Sequence, residues 1–147
     1  MAVETTVQPQ QFQVRVPLLK EGRVHNIVAR AGEMTVAMKC YAEGGENVLH
    51  AHPSEDHIFV ILQGQARFHD KDGNERVVGR NEGIMLPHGC YYYFESCGDE
   101  PLVMLRVGAY VEPPKAARIS LDGHVIAGDS AENKHEDPVA IDGAFYE

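Results

Sequence analysis

The chain has no tryptophan, and cysteine occurs only at Cys40, Cys90 and Cys97. Three thiols with no C-x-x-C spacing exclude a framework in which every cysteine is paired within the chain, and they read as free thiols of a reducing cytoplasm. Basic residues are scarce, 13 Lys+Arg against 22 Asp+Glu, for a formal net charge of −9. Nucleic acid and anionic membrane surfaces are bound mainly through Lys and Arg, so neither is an expected partner. Long apolar runs are missing too. The longest, Ile58 to Leu62, is far short of the roughly 20 residues that a membrane helix needs. The opening residues (MAVETTVQPQQ) have neither the basic start nor the apolar block of a secretory signal. No Gly-rich phosphate loop and no Gly-x-Ser-x-Gly nucleophile elbow is present. The 147 residues are 44% hydrophobic, enough for the core of one ordinary domain and too many for wholesale disorder.

Helical periodicity is almost absent. Short alternating segments, separated by turn signals, recur instead: 12–18, 23–30, 34–41, 48–52, 57–63, 64–69, 75–79, 83–86, 91–95 and 102–111. In 34–41, Met34, Val36, Met38 and Cys40 fall on one face at the period of two that a strand requires. Asp72-Gly73 between two such segments is a hairpin signal, because glycine accepts positive φ at little cost. Many short strands with regular turns indicate an all-β sandwich or barrel. After Val111 the character changes. Pro113-Pro114 punctuates the chain, and residues 113–147 carry three Lys/Arg against seven Asp/Glu. The expected organisation is an N-terminal arm or edge strand at 1–23, a barrel at 24–112 and a C-terminal extension at 113–147. The extension holds one small hairpin at Asp122-Gly123 and a final arm on the domain or on a neighbouring subunit.

Eight histidines are present, and three of them fall close together: His50, His52 and His57. On a strand, His50 and His52 share one face. His57 follows the polar turn Pro53-Ser54-Glu55-Asp56 and opens an apolar run, so the returning strand can bring a third imidazole to the same point. Desolvating three imidazoles side by side is costly unless something binds their lone pairs, and imidazole prefers transition metals. The competing reading is a structural or solvent-exposed cluster.

These residues resemble the motifs of the cupin superfamily. The first cupin motif runs Gly, five residues, His-x-His, three or four residues, Glu, six residues, Gly. Here Gly44 is followed by five residues, His50-Ala51-His52, four residues, His57, six residues and Gly64, so His57 stands in the Glu slot. The second motif centres on Pro-x-Gly, two residues, His, three residues, Asn. Here it reads Pro87-His88-Gly89, two residues, Tyr92, three residues and Ser96, with Asn81 where the leading Gly usually stands. The resemblance covers about residues 24–112. It implies a jelly-roll barrel with a metal inside and a homodimer whose terminal segments cover sheet edges.

His57 in place of a carboxylate makes the first three ligands neutral. The centre would then stay near +2, a charge that favours an anionic substrate or hydroxide. Three imidazoles suit Fe(II), Zn(II), Ni(II), Co(II) or Cu(II) and argue against Mg(II) or Ca(II). Tyr92, in the fourth ligand's slot, is open to three readings: a phenolate ligand, a general acid/base beside the metal, or cavity wall. His88 is a rival for the missing ligand. If Tyr92 points inward, alternation turns Cys90 and Phe94 inward and Tyr91 and Tyr93 outward. In 102–110, Val103, Leu105 and Val107 are uniformly apolar, and Arg106 lies on the other face. There it either clamps a substrate carboxylate or enolate or meets water. Glu55 and Asp56 read as turn residues, with Asp56 a possible partner of a metal-bound imidazole. His25, His69, His124 and His135 read as dispersed surface residues.

The resemblance implies an enzyme acting on a small molecule. The first expectation is a three-His Fe(II) dioxygenase, with Tyr92 and Arg106 as the catalytic residues. The second is a non-redox cyclase, isomerase or lyase, as in polyketide cyclisation. The third is a non-catalytic cupin that binds a small ligand. Fold alone does not choose among them.

Overall fold

In a computed structural model, the chain is described over residues 7–42, 47–112, 117–128 and 130–147. Gly44, the first residue of the His-x-His motif, and Pro113-Pro114 lie outside the described residues. Ten strands run in chain order: β1 Val16–Glu21, β2 Arg23–Ala31, β3 Met34–Tyr41, β4 Glu55–Gln63, β5 Gln65–Asp70, β6 Glu75–Gly79, β7 Gly83–Leu86, β8 Tyr92–Ser96, β9 Leu102–Tyr110 and β10 Val139–Tyr146. All strand pairs are antiparallel, and no helix occurs among the described residues. A five-stranded sheet has the order β2-β3-β9-β4-β7, a three-stranded sheet has β6-β5-β8, and β1 pairs with β10. The architecture is therefore the all-β jelly roll that the alternating segments imply. Among the described residues, no helix is long and apolar enough to cross a membrane.

The hairpin expected at Asp72-Gly73 joins β5 to β6. Gly73 has φ +84°, and the Asp70 carboxylate accepts the Asp72 and Asn74 amides at 2.8 and 3.0 Å. Segment 48–52 is less regular than a strand. It holds only the isolated bridges His50–Tyr92 and Ala51–Ile119, yet these keep the period of two that puts His50 and His52 together. The Asp122-Gly123 turn is closed by an Ile119–Val125 bridge. The final segment lies as β10 along β1, with Val16 opposite Tyr146.

Two cores follow from alternation. Met38, Cys40 and Val103 look outward and are buried with Val16 and Leu19 of β1. Tyr41, Phe59, Phe68, Tyr92, Phe94 and Met104 look inward and fill the barrel between the sheets. Each such buried side chain contributes about 1.5–3 kcal/mol by removal from water. Both faces of β3 and β9 are thus committed, and the inward face of the large sheet carries polar residues toward one end.

Candidate metal centre

Strand β4 begins two residues earlier than the sequence implies, because Glu55 already pairs with Tyr110 of β9. Glu55, His57, Phe59 and Ile61 consequently share the inward face and are buried, and Glu55 is not the turn residue it was expected to be. Its carboxylate meets two partners there. His57 Nε2 and Arg106 Nη2 lie 2.5 and 2.8 Å from Glu55 Oε1. Gly108 of β9 stands opposite His57 and makes this possible, since an added Cβ would fall 2.7 Å from Glu55 Oε2. Arg106 faces the interior, with its Nη2 also 2.5 Å from His57 Nε2.

His50 and His52 each point Nδ1 at a carbonyl, Val48 O at 2.6 Å and Ala117 O at 2.5 Å. A carbonyl only accepts, so each Nδ1 carries the proton and each Nε2 presents a lone pair. Those two Nε2 atoms face each other at 3.2 Å. Two bare lone pairs at that distance repel unless a cation lies between them. Two nitrogens each about 2.0–2.1 Å from one transition-metal ion, at a right or tetrahedral angle, stand about this far apart. The His57 ring joins them, its centroid 4.1 Å from that of His52, and donor atoms of His52, Glu55 and His57 all lie within 4.8 Å of one another. The donor chemistry and the spacing therefore fit a divalent transition metal, with the His52–Glu55–His57 cluster and the His50 Nε2 that faces His52 as the donors at hand.

The imidazoles are prepared as neutral ligands. Burial lowers His50 to about 4 and His57 to about 2, the latter with help from Arg106, and burial followed by the charge of its neighbouring imidazoles lowers His52 further. Unfolded histidine takes up a proton near pH 6.5, whereas these take it up only well below, so the unfolded state binds more protons throughout that interval. Metal-free protein should accordingly lose stability as the pH falls from about 6.5 toward 4, by roughly 1 kcal/mol per histidine at pH 5.5. Burial raises the Glu55 carboxyl against the pull of Arg106, which acts in the opposite direction. Urea midpoints at pH 7.5 and 5.5 test this. Zinc should shift the fall to lower pH, and equal midpoints in the metal-free protein would refute it.

Tyr92 is buried on β8, its hydroxyl 3.4 Å from His57 Nδ1, and burial raises its phenol above the ordinary value. Phe94 is inward as well, while Tyr91 reaches Ser120 O and Tyr93 stacks on His69, as alternation requires. Cys90, in the turn before the strand, packs against the same inward cluster but lines a second cavity with Phe68, Ile84 and Leu86, not the one at the imidazoles. His88 is exposed and bound to Asp56 at 2.8 Å, so it is no rival ligand and Asp56 supports no metal-facing imidazole. His69 is largely covered between Glu75 and Glu95, and His124 is exposed between Asp122 and Glu132.

The imidazoles, Tyr92 and Arg106 open onto one cavity of about 270 Å³, also lined by Arg23, His25, Lys39, Arg118 and His135. Sequence reasoning missed these. For Lys39 the signal was available, since 34–41 alternates and Lys39 lies on the face opposite Met38 and Cys40. His25 stands directly across from Lys39 on β2. Nothing local marks Arg118, which reaches the cavity from beyond β9.

Residues 37–108 match the family model described as the cupin domain, and the chain belongs to the cupin superfamily. Solved structures agree on the fold. A conserved protein with a double-stranded β-helix domain from Klebsiella pneumoniae has TM-score 0.61 and 19% identity, over 70% of this chain and 91% of that one. KdgF from Halomonas sp. has TM-score 0.55 and 19% identity, over 62% and 81%. An oxalate oxidase in complex with the substrate analogue glycolate has TM-score 0.53 and 19% identity, over 63% of this chain and 53% of that one. No curated protein sequence matches the chain.

Proposed function

We propose that the protein is a metal-dependent cupin enzyme acting on a small organic molecule through a centre formed by His50, His52 and His57. The observation that carries the reading is the pair of Nε2 lone pairs 3.2 Å apart, each fixed by an Nδ1–H bonded to a carbonyl. A divalent metal bound there supplies Lewis acidity and, if it is iron, redox chemistry with O₂, the three-His dioxygenase reading. Arg106 holds both Glu55 and His57 in place, Tyr41, Phe59 and Phe94 exclude water, and Tyr92 holds a proton at its hydroxyl beside His57.

One observation favours the non-redox reading, a cyclase, isomerase or lyase. Burial raises the Tyr92 phenol above its ordinary value, and a neutral phenol beside His57 suits a proton donor to a developing enolate or alkoxide. Oxygen uptake by iron-loaded and zinc-loaded protein with diketones, catechols and thiols separates the two. Uptake confined to the iron form identifies the dioxygenase, whereas turnover that consumes no O₂ identifies the other. Binding without turnover in either form would leave a ligand-binding cupin. Once a substrate is found, Tyr92→Phe should retain the metal and slow turnover by about 10²–10⁴-fold. Unchanged turnover would make Tyr92 a wall residue.

A further inference from the structure

Positive charge gathers on one face of a protein whose net charge is −9. On the inward side of the large sheet, Arg23 and His25 of β2, Lys39 of β3 and Arg106 of β9 line the cavity, and Arg118 joins them. No Asp or Glu lines it among the described residues. The nearby carboxylate, Glu55, is already bound to Arg106 and His57.

Lys39 and Arg118 stand out within this group. The Lys39 ammonium lies over the Tyr41 and Phe59 rings, 5.2 and 5.7 Å from their centroids, with no hydrogen bond or ion pair among the described residues. Rings offset part of the cost of burying a cation, but an anion does more. Arg118 Nε is sealed from solvent and has no hydrogen-bond partner among the described residues. Gly128 leaves the room that this guanidinium occupies, since an added Cβ would fall 2.7 Å from Arg118 Nη1. A buried donor without an acceptor costs free energy unless a ligand supplies one.

We propose that Lys39 and Arg118 form a carboxylate-binding subsite beside the histidine centre, so that the substrate is a small dicarboxylate or oxo acid with one carboxylate on this pair and a second oxygen group on the metal. The assignment of the second group rests on the metal-dependent reading above; the subsite itself does not. A planar guanidinium and an ammonium together match a carboxylate's two oxygens. The cavity, about 270 Å³, has room for such a ligand beside the histidines. Burial, then the neighbouring Arg106, Arg118 and Arg23, lower the Lys39 amine well below its ordinary pKa, and Glu55 pulls the other way.

The test is calorimetric titration of protein of measured metal content with succinate, propionate, succinamide and inorganic phosphate. Succinate should bind, succinamide should not, and Lys39→Met should weaken succinate by at least about tenfold without altering metal content. Arg118→Gln should act likewise, and Lys39→Met keeps the test open if that variant fails to fold. Unchanged succinate affinity in Lys39→Met would overturn the subsite, and so would succinamide binding as well as succinate. Phosphate binding more tightly than succinate, with the same dependence on Lys39, would overturn the carboxylate assignment. In metal-free protein, Lys39-dependent binding of propionate should persist. Its persistence in a protein that takes up no metal would sustain the subsite while the metal-dependent reading failed.

Discussion

His52→Ala should leave the purified protein without bound metal and lower its zinc affinity by at least about 100-fold. The size of the effect follows from its position. His52 is common to both groupings of donor atoms, facing His50 Nε2 at 3.2 Å on one side and sharing the cluster with Glu55 and His57 on the other. Its ring is held by Ala117 O, which keeps its Nε2 aimed at that of His50. His50→Ala should approach the same loss. His124→Ala, at an exposed imidazole tied to Asp122 and Glu132, should retain full metal content. Elemental analysis with competition against a chromophoric chelator reads all three. Equal zinc affinity in His52→Ala and the unaltered protein would show that the imidazoles do not share an ion.

The second large effect concerns stability. Arg106→Leu should destabilise the protein by about 3 kcal/mol or more, because it strands the Glu55 carboxylate in the interior. The two side chains are 12% and 10% exposed, and their contact at 2.8 Å is backed by His57. Adding Glu55→Gln to Arg106→Leu should recover most of the loss, since the stranded charge is then gone. The double-mutant cycle should show a coupling of about 2 kcal/mol. Urea denaturation of the four proteins measures it, and a single-variant loss below about 1 kcal/mol would place Arg106 in contact with water instead.

The strands were legible because a strand's period of two writes itself into short segments. The pairing of His50 with His52, the shared face of Tyr92 and Phe94, and the separation of Arg106 from the face of Val103, Leu105 and Val107 all followed from that period, whereas which face looks inward did not. Misjudgements fell where tertiary pairing overrides a local signal. Pro53-Ser54-Glu55-Asp56 has turn composition, yet β9 extends β4 back to Glu55 and places its carboxylate in the interior. Cys90 packs inward as alternation implies, but in the turn before β8 it lines a second cavity and not the one at the imidazoles. Lys39 could have been read from the polar face of its strand, but its meaning depends on Arg118, which lies far along the chain. No spacing rule connects residues brought together only by barrel closure. The cationic cavity was therefore invisible in a sequence whose overall charge is strongly negative.

The convergence of three imidazoles on one cation is tested most directly by X-ray absorption of the zinc-loaded protein. The expected spectrum shows nitrogen or oxygen neighbours at about 2.0–2.1 Å, with outer-shell scattering from three imidazole rings. Scattering from fewer than two rings, or zinc bound in less than one equivalent per chain under saturating conditions, would contradict it.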